Sequence, residues 1–185
     1  MPKSIRTIFK YLNRFFMVPM FRLGLGSMIV SPLAGYIMVM KTIGRKSGNV
    51  RYAPVNYAIW NGKIYCLSGG RASSDWYKNL LAHPEVELIL PGGAMFARVA
   101  APYVGEDRLL IFRQVLKNAG FAGFFEGYNP WTLGDADLQE RSADIPVIEF
   151  TPLGLGSGAS DPQGWAWVSW LVLLVVIILL LVILL

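Results

Sequence analysis

The 185-residue chain is short of charge and nearly without two residue types that carry much site chemistry. Charged residues make up 16% and hydrophobic ones 54%, against about 25% and about 45–50% in an ordinary soluble domain. There is one cysteine and one histidine. A lone cysteine excludes an internal disulfide and fits a reducing compartment, and in a strand Cys66 reads as a buried thiol rather than a nucleophile. A lone histidine cannot build a typical metal centre, so no metal is expected. His83 stands before Pro84 at a helix end, where it meets the helix dipole. No secretory signal is present, because Lys3, Arg6, Lys10 and Arg14 run through the N-terminus and no small-residue cleavage site follows a clean apolar core. No internal repeat is visible, and the length suits one domain.

The longest absence is at the C-terminus. Residues 165–185, "WAWVSWLVLLVVIILLLVILL", contain no charge, no proline and no glycine. At about 1.5 Å per residue such a helix spans the roughly 30 Å hydrocarbon layer of a bilayer. A small domain has no interior able to surround it as a core helix. Trp165, Trp167 and Trp170 mark the interfacial entry side. The expectation is a single-pass tail anchor, with the main domain facing the cytoplasm.

What charge there is has a sign. The net charge is +5, which suits an anionic lipid, an anionic ligand or nucleic acid. Nucleic acid ranks last, since the cations gather near a turn and the membrane helix rather than along a reading face. Residues 4–22 place Ile5, Ile8, Phe9, Leu12, Phe15 and Phe16 at helical spacing, with Arg6, Lys10 and Arg14 elsewhere. Such a helix lies on a membrane surface or packs on its own domain, and Pro19 is expected to bend or end it.

Gly24, Gly26, Pro32 and Gly35 exclude a second span over 23–40. Strands are predicted over 36–42, 50–60 and 63–68, the last two joined by the Asn61-Gly62 hairpin signal. A short helix capped by Ser73, Ser74 or Asp75 follows, then strands over 85–90 and 94–104 turned by Pro91-Gly92-Gly93. A helix over 105–120, an irregular stretch over 120–134 and a strand over 145–150 complete the domain. The fold class is α+β, a small antiparallel split β-barrel with flanking helices plus the C-terminal transmembrane helix. The expected divisions are 1–34, helix and loop; 35–152, barrel; 153–164, flexible linker; and 165–185, anchor.

One turn concentrates the cations. In "KTIGRKSGNVR", Gly44 and Gly48 bracket Arg45, Lys46 and Ser47, with Lys41 and Arg51 on the flanking strands. Glycines free backbone N–H groups for an anion, Ser47 adds a hydroxyl and Arg51 a fork of donors. A solvated hairpin tip is the alternative, and the spacing matches no nucleotide P-loop. Beyond it, "LSGGRASSDWYKNLL" sets a small-residue loop before a helix start, a place for close approach of a planar or anionic ligand. Trp76 and Tyr77 are candidates to pack on a ring, or to anchor the helix in the core.

Read in order, "TIGRKSGNVRYAPV", "WNGKIYCLSGG", "DWYKNLLAHPEVEL" and "ADIPVIEFTP" resemble the deazaflavin-dependent nitroreductase family, split β-barrel oxidoreductases. The resemblance runs from about residue 5 to 152. It implies coenzyme F-420, a deazaflavin with a phosphodiester and an oligoglutamate tail. Carried over by position, Arg45, Lys46, Ser47 and Arg51 would hold the phosphate and tail. Pro54, Val55 and Asn56 would line the ring pocket, and Cys66, Leu67, Ser68 and Gly69 would approach the ring with backbone. Asp75, Trp76, Tyr77, Lys78 and Asn79 would form the opposite wall. The chemistry would be hydride donation by the cofactor, the protein supplying position and electrostatics, with no covalent nucleophile; water, Tyr57 or Tyr128 are the candidate proton donors.

The sequence departs from the family's pattern in three places. The loop "GGRASSD" is shorter, with Arg71 standing for a lost lysine. Phe121 and Phe124 stand where nitroreducing members carry tyrosines, which favours an apolar electrophile such as a quinone. "EGYNPWTLGDADLQE" reads as an insertion that serves docking. The expected partners are therefore the lipid bilayer and a small lipophilic substrate, with a homodimer or membrane-complex subunits as further candidates. A cofactor-free accessory subunit, and a flavin or haem enzyme of the same barrel type, are the competing readings.

Overall fold

The computed structural model describes residues 3–125, 129–156 and 168–184. The chain opens with α1 (Lys3–Leu12), a π-helical turn (Asn13–Met17) and α2 (Val18–Arg22), followed by the short α3 (Gly26–Ile29). Pro19 does not end the helix. It occupies the first turn of α2, where its missing N–H is needed least. The Val18 N–H reaches back to the Asn13 carbonyl, widening the turn just before it.

Six strands follow, β1 (Ile37–Ile43), β2 (Val50–Trp60), β3 (Lys63–Leu67), β4 (Glu85–Leu90), β5 (Gly93–Ala100) and β6 (Val147–Leu155). They close an antiparallel barrel in the order β1-β2-β3-β6-β5-β4, with β4 pairing back on β1. Closure removes most of the exposed edges, as the sequence predicts. Alternation sends Met38, Met40, Ile64, Cys66, Leu88, Ile148 and Phe150 inward. α4 (Asp75–Ala82), entered through a 3-10 turn (Arg71–Ser73), adds Tyr77 and Leu80 to the same cluster.

Two outer clusters complete the core. Met17 and Phe21 cover Val39, Ile89 and Ala94 on the β1/β4 face. On the β2/β3 face, α5 (Arg108–Lys117) buries Ile111, Phe112 and Val115 against Ala58, Tyr65 and Val147.

Several elements escape the sequence reading, the short α3 in the predicted loop before β1 among them. The stretch after residue 120 holds α6 (Phe121–Phe125) and α7 (Asp135–Ser142). α7 carries one fully buried apolar side chain, Leu138, too sparse a stripe to show a helical period. Its start is held by Arg113, which donates to the carbonyls of Pro130 (2.8 Å) and Leu133 (2.9 Å) and pairs with Asp135. β6 runs to Leu155, into the segment expected to be linker. Pro152 and Gly154 argue locally for a loop, but β5 offers a partner ladder through Leu155, and tertiary pairing outweighs propensity.

The C-terminal helix α8 covers Val168–Leu184, within the 165–185 span expected for the anchor. Trp165 and Trp167 lie outside the described residues. Among the described residues no helix is long and apolar enough to cross a membrane. The apolar side chains from Leu171 to Leu184 are all exposed.

Candidate functional site

The β1–β2 turn folds on itself. Gly44 accepts from the N–H groups of Ser47 (3.1 Å) and Gly48 (2.8 Å), and donates its own N–H to Asn49 (2.9 Å). Gly48 has φ +68°, a conformation that strongly favours glycine. The turn is also fastened to α4. Arg45 donates its backbone N–H (3.2 Å) and Nη1 (3.0 Å) to Asn79 Oδ1. Its guanidinium also reaches the Asp75 carbonyl (3.2 Å) and carboxylate (3.0 Å). The hydrogen bond and charge of Arg45, with Lys78 and Lys46 nearby, hold the Asp75 carboxyl below its ordinary range.

This divides the four cations of the turn. Lys41 points to the outer face and pairs with the buried Glu87 at 2.9 Å, away from the others. Arg45 is engaged by α4. Lys46 and Arg51 are exposed and, among the described residues, make no ion pair; neither does Lys78 on α4. Lys46 and Lys78 converge electrostatically on Asp75. The Arg51 stem runs along the turn, its Cγ 3.6 Å from where a Cβ on Gly44 would sit. Lys46 and Arg51 thus share one end of the barrel, beside the start of α4. Ser47 Oγ accepts from the Asn49 N–H at 3.3 Å, leaving its proton to donate.

Next to the cations lies a gap in the sheet. β2 pairs with β1 from Val50 to Asn56, but with β3 only from Tyr57 to Trp60. Among the described residues no strand partners 50–56 on the β3 side, so the β-ladder stops there along half of β2. Pro54, which lacks an N–H, fits a half-strand with one neighbour. Inside the gap, Ala53, Val55 and Trp76 are partly exposed members of the barrel cluster. Trp76 meets Tyr77 edge to face, centroids 6.3 Å apart.

The remaining predicted residues separate. Tyr77 is buried in the barrel and Asn79 is buried in its contact with Arg45, so both are structural members of the α4 wall. Pro54 and Asn56 alternate to the outer face, where Asn56 donates to the Tyr36 carbonyl at 3.3 Å. Cys66 is buried, as the sequence predicts, and burial raises its thiol pKa well above the ordinary value. Leu67 ends β3. The buried Ser68 spends its hydroxyl within the loop, 2.8 Å from the Arg71 carbonyl and 3.3 Å from Ser74 Oγ. Gly69 is exposed at the loop's start. A Cβ on Gly70 would sit 2.3 Å from Ser74 Oγ, so a larger residue here would turn that hydroxyl away from Ser68. Arg71 pairs with Asp144 at 2.8 Å rather than facing the turn. Tyr57 faces the barrel cluster, and desolvation with Tyr36 raises its hydroxyl pKa. Tyr128, its counterpart as a candidate donor, lies outside the described residues, as does the Phe124 side chain.

The unpaired edge of β2 has no sequence signal: strand lengths show it only once the β2–β3 register is known. His83 caps the C-terminus of α4, its N–H on the Asn79 carbonyl at 2.9 Å. It lines a shallow groove of about 400 Å³ with Ile43, Ala82, Pro84, Glu85 and Arg98. Among the described residues no group of three His, Cys, Asp or Glu side chains could hold a metal ion.

Among solved structures, an F420 reductase aligns at 15% identity over 69% of this chain and 92% of its own, with TM-score 0.42. The haem storage protein HutZ of Vibrio cholerae aligns at 12% over 64% and 82%, TM-score 0.44. A conserved hypothetical protein of Mycobacterium tuberculosis aligns at 12% over 83% and 85%, TM-score 0.45. These likenesses are too distant to assign a ligand or a reaction. A comparison with curated proteins returned no match. The family model for F420H(2)-dependent quinone reductases matches residues 17–132, more than half of the chain and the whole of the turn, the gap and α4. The chain belongs to the F420H(2)-dependent quinone reductase family, a family of deazaflavin-dependent oxidoreductases.

Proposed function

We propose that the chain reduces a lipophilic electrophile such as a quinone, and that Lys46, Ser47, Arg51 and Lys78 hold the anionic arm of the deazaflavin. One observation carries the assignment: Lys46, Arg51 and Lys78, which make no ion pair among the described residues, stand at the barrel end where no described strand pairs with residues 50–56 of β2 on the β3 side. Elsewhere the cations of this end are neutralised, Lys41 by Glu87 and Arg45 by Asp75. The residues present fit an anionic, planar group: a flexible phosphate chain needs such cations and the Ser47 hydroxyl, and a ring needs a half-buried aromatic such as Trp76 beside backbone where the ladder stops.

When bound, the reduced deazaflavin supplies the hydride. The chain's own part is to position and to exclude water. Trp76, Val55 and Ala53 form an apolar floor, and the neutral Tyr57 hydroxyl is available to donate a hydrogen bond from the barrel side. Two features support a membrane location: the uninterrupted apolar sequence 165–185, and the exposure of every apolar side chain of α8 from Leu171 to Leu184. Counted from Trp165, the segment is long enough to span about 30 Å.

The test is a titration of detergent-purified protein with oxidised and reduced deazaflavin, followed by fluorescence quenching. K46E and R51E are each expected to weaken binding about tenfold or more, the factor for losing a charge-assisted hydrogen bond. Unchanged affinity in both variants would place the anionic arm elsewhere.

A further inference from the structure

The N-terminal helix carries an apolar face that the barrel does not use. Its domain side is clear: Met17 and Phe21 are buried against β1 and β4. On another face Ile8, Tyr11 and Phe15 are 64%, 56% and 66% exposed, with Tyr11 and Phe15 stacked at 6.1 Å. Residues spaced by three, four and seven share one side of a helix, so these form a continuous ridge with the exposed Leu12. The ridge extends beyond the helix: Phe121, stacked on Phe9 at 6.4 Å, donates its backbone N–H to the carbonyl of Leu33, whose side chain is 77% exposed.

Charge identifies what covers this face. No Asp or Glu precedes Asp75 in the sequence, and Lys10 and Arg14 flank the ridge, Arg14 lying 5.4 Å over the Phe15 ring. An apolar stripe rich in aromatics, bordered by cations and free of acids, matches an anionic bilayer surface. We propose that the ridge Ile8–Tyr11–Leu12–Phe15, continued by Leu33 and Phe121, lies in the headgroup region of an anionic bilayer as a second membrane contact, separate from α8. A contact at each end of the chain would fix the barrel's orientation to the membrane. The inference stands independently of the cofactor assignment.

Single cysteines introduced as I8C and F15C, and as T7C and K10C for contrast, are labelled with a nitroxide in the full chain. The buried Cys66 leaves the unmodified chain as the labelling control. The protein is reconstituted in phosphatidylcholine vesicles with and without phosphatidylglycerol, and relaxation by oxygen is compared with relaxation by a water-soluble nickel chelate. With phosphatidylglycerol, labels at 8 and 15 are expected to respond several-fold more to oxygen than to nickel, and those at 7 and 10 the reverse. A K10Q/R14Q background is expected to shift the helix about thirtyfold toward the free state, the factor for two cations at such a surface. Labels at 8 and 15 that stay open to nickel would overturn the proposal. So would labels closed to both reagents, which would mean that α8 or a second copy covers the ridge.

Discussion

Asn79 Oδ1 receives two donors from one residue, the backbone N–H and Nη1 of Arg45, at 3.2 and 3.0 Å. A buried amide on the capping helix is thereby the fixed point of an exposed turn 34 residues earlier. Asn79→Ala removes both bonds and leaves the backbone donor of Arg45 without its acceptor. The expected cost is about 2 kcal/mol, read as a lower midpoint in thermal or denaturant unfolding. An unchanged midpoint would show that the turn holds its shape without α4.

The Arg45–Asp75 pair has a pH signature. The Asp75 carboxyl is held below its ordinary range, first by the Arg45 hydrogen bond and then by its charge. A depressed folded pKa stabilises above the unfolded value, about 3.9. That contribution is lost as pH falls through the lower folded value. The acid limb of a stability–pH curve is therefore expected to be steeper in the wild-type chain than in Asp75→Asn, with the two curves converging at the acid end. The same variant removes a carboxylate from among Lys46, Lys78 and Arg45, so its affinity for oxidised deazaflavin is expected to rise. Parallel acid limbs would contradict the assigned pair.

The sequence made the barrel legible because its strands carry two strong local signals, alternation and turn chemistry. Val50–Trp60 and Glu85–Leu90 are the predicted spans, and Asn61, with φ +48°, and Gly62 form the expected hairpin turn. α7 and the end of β6 were not legible, because one is fixed by a single buried leucine and the other by a partner strand. At the candidate site the residue types were readable but their division of labour was not. Nothing local separates Arg45, committed to Asn79 and Asp75, from Arg51, which makes no ion pair among the described residues. That distinction needs α4 laid beside the turn, a contact between residues 34 apart.

Lys41 illustrates the same division from the outer face. It neutralises Glu87, which is 4% exposed, while itself remaining 26% exposed. Removing the cation takes the neutralising charge from a buried carboxylate, so Lys41→Met is expected to cost about 3 kcal/mol, the low end for a broken buried pair. The double variant Lys41→Met, Glu87→Leu is expected to recover most of that loss. If the single variant instead weakens deazaflavin binding at unchanged stability, Lys41 belongs with Lys46 and Arg51 after all.

Cys66 offers a reporter on the barrel itself. Its side chain is buried among Met38, Met40, Ile64 and Phe150, and burial raises its pKa, so both access and thiolate fraction are low in the native state. Reaction with a disulfide reagent at mild alkaline pH then requires the barrel to open. For an ordinary domain stability of about 5 kcal/mol or more, the rate is expected to fall at least a thousandfold below that of a free cysteine. A ligand that binds only the closed barrel lowers the open fraction by the factor 1 + [L]/Kd, about a hundredfold at a hundred times its dissociation constant. Deazaflavin is therefore expected to protect the thiol in the wild-type chain and to protect it less in K46E and R51E at the same concentration. Modification at the rate of a free thiol would mean that the gap beside β2 reaches the barrel interior and that Cys66 lines it.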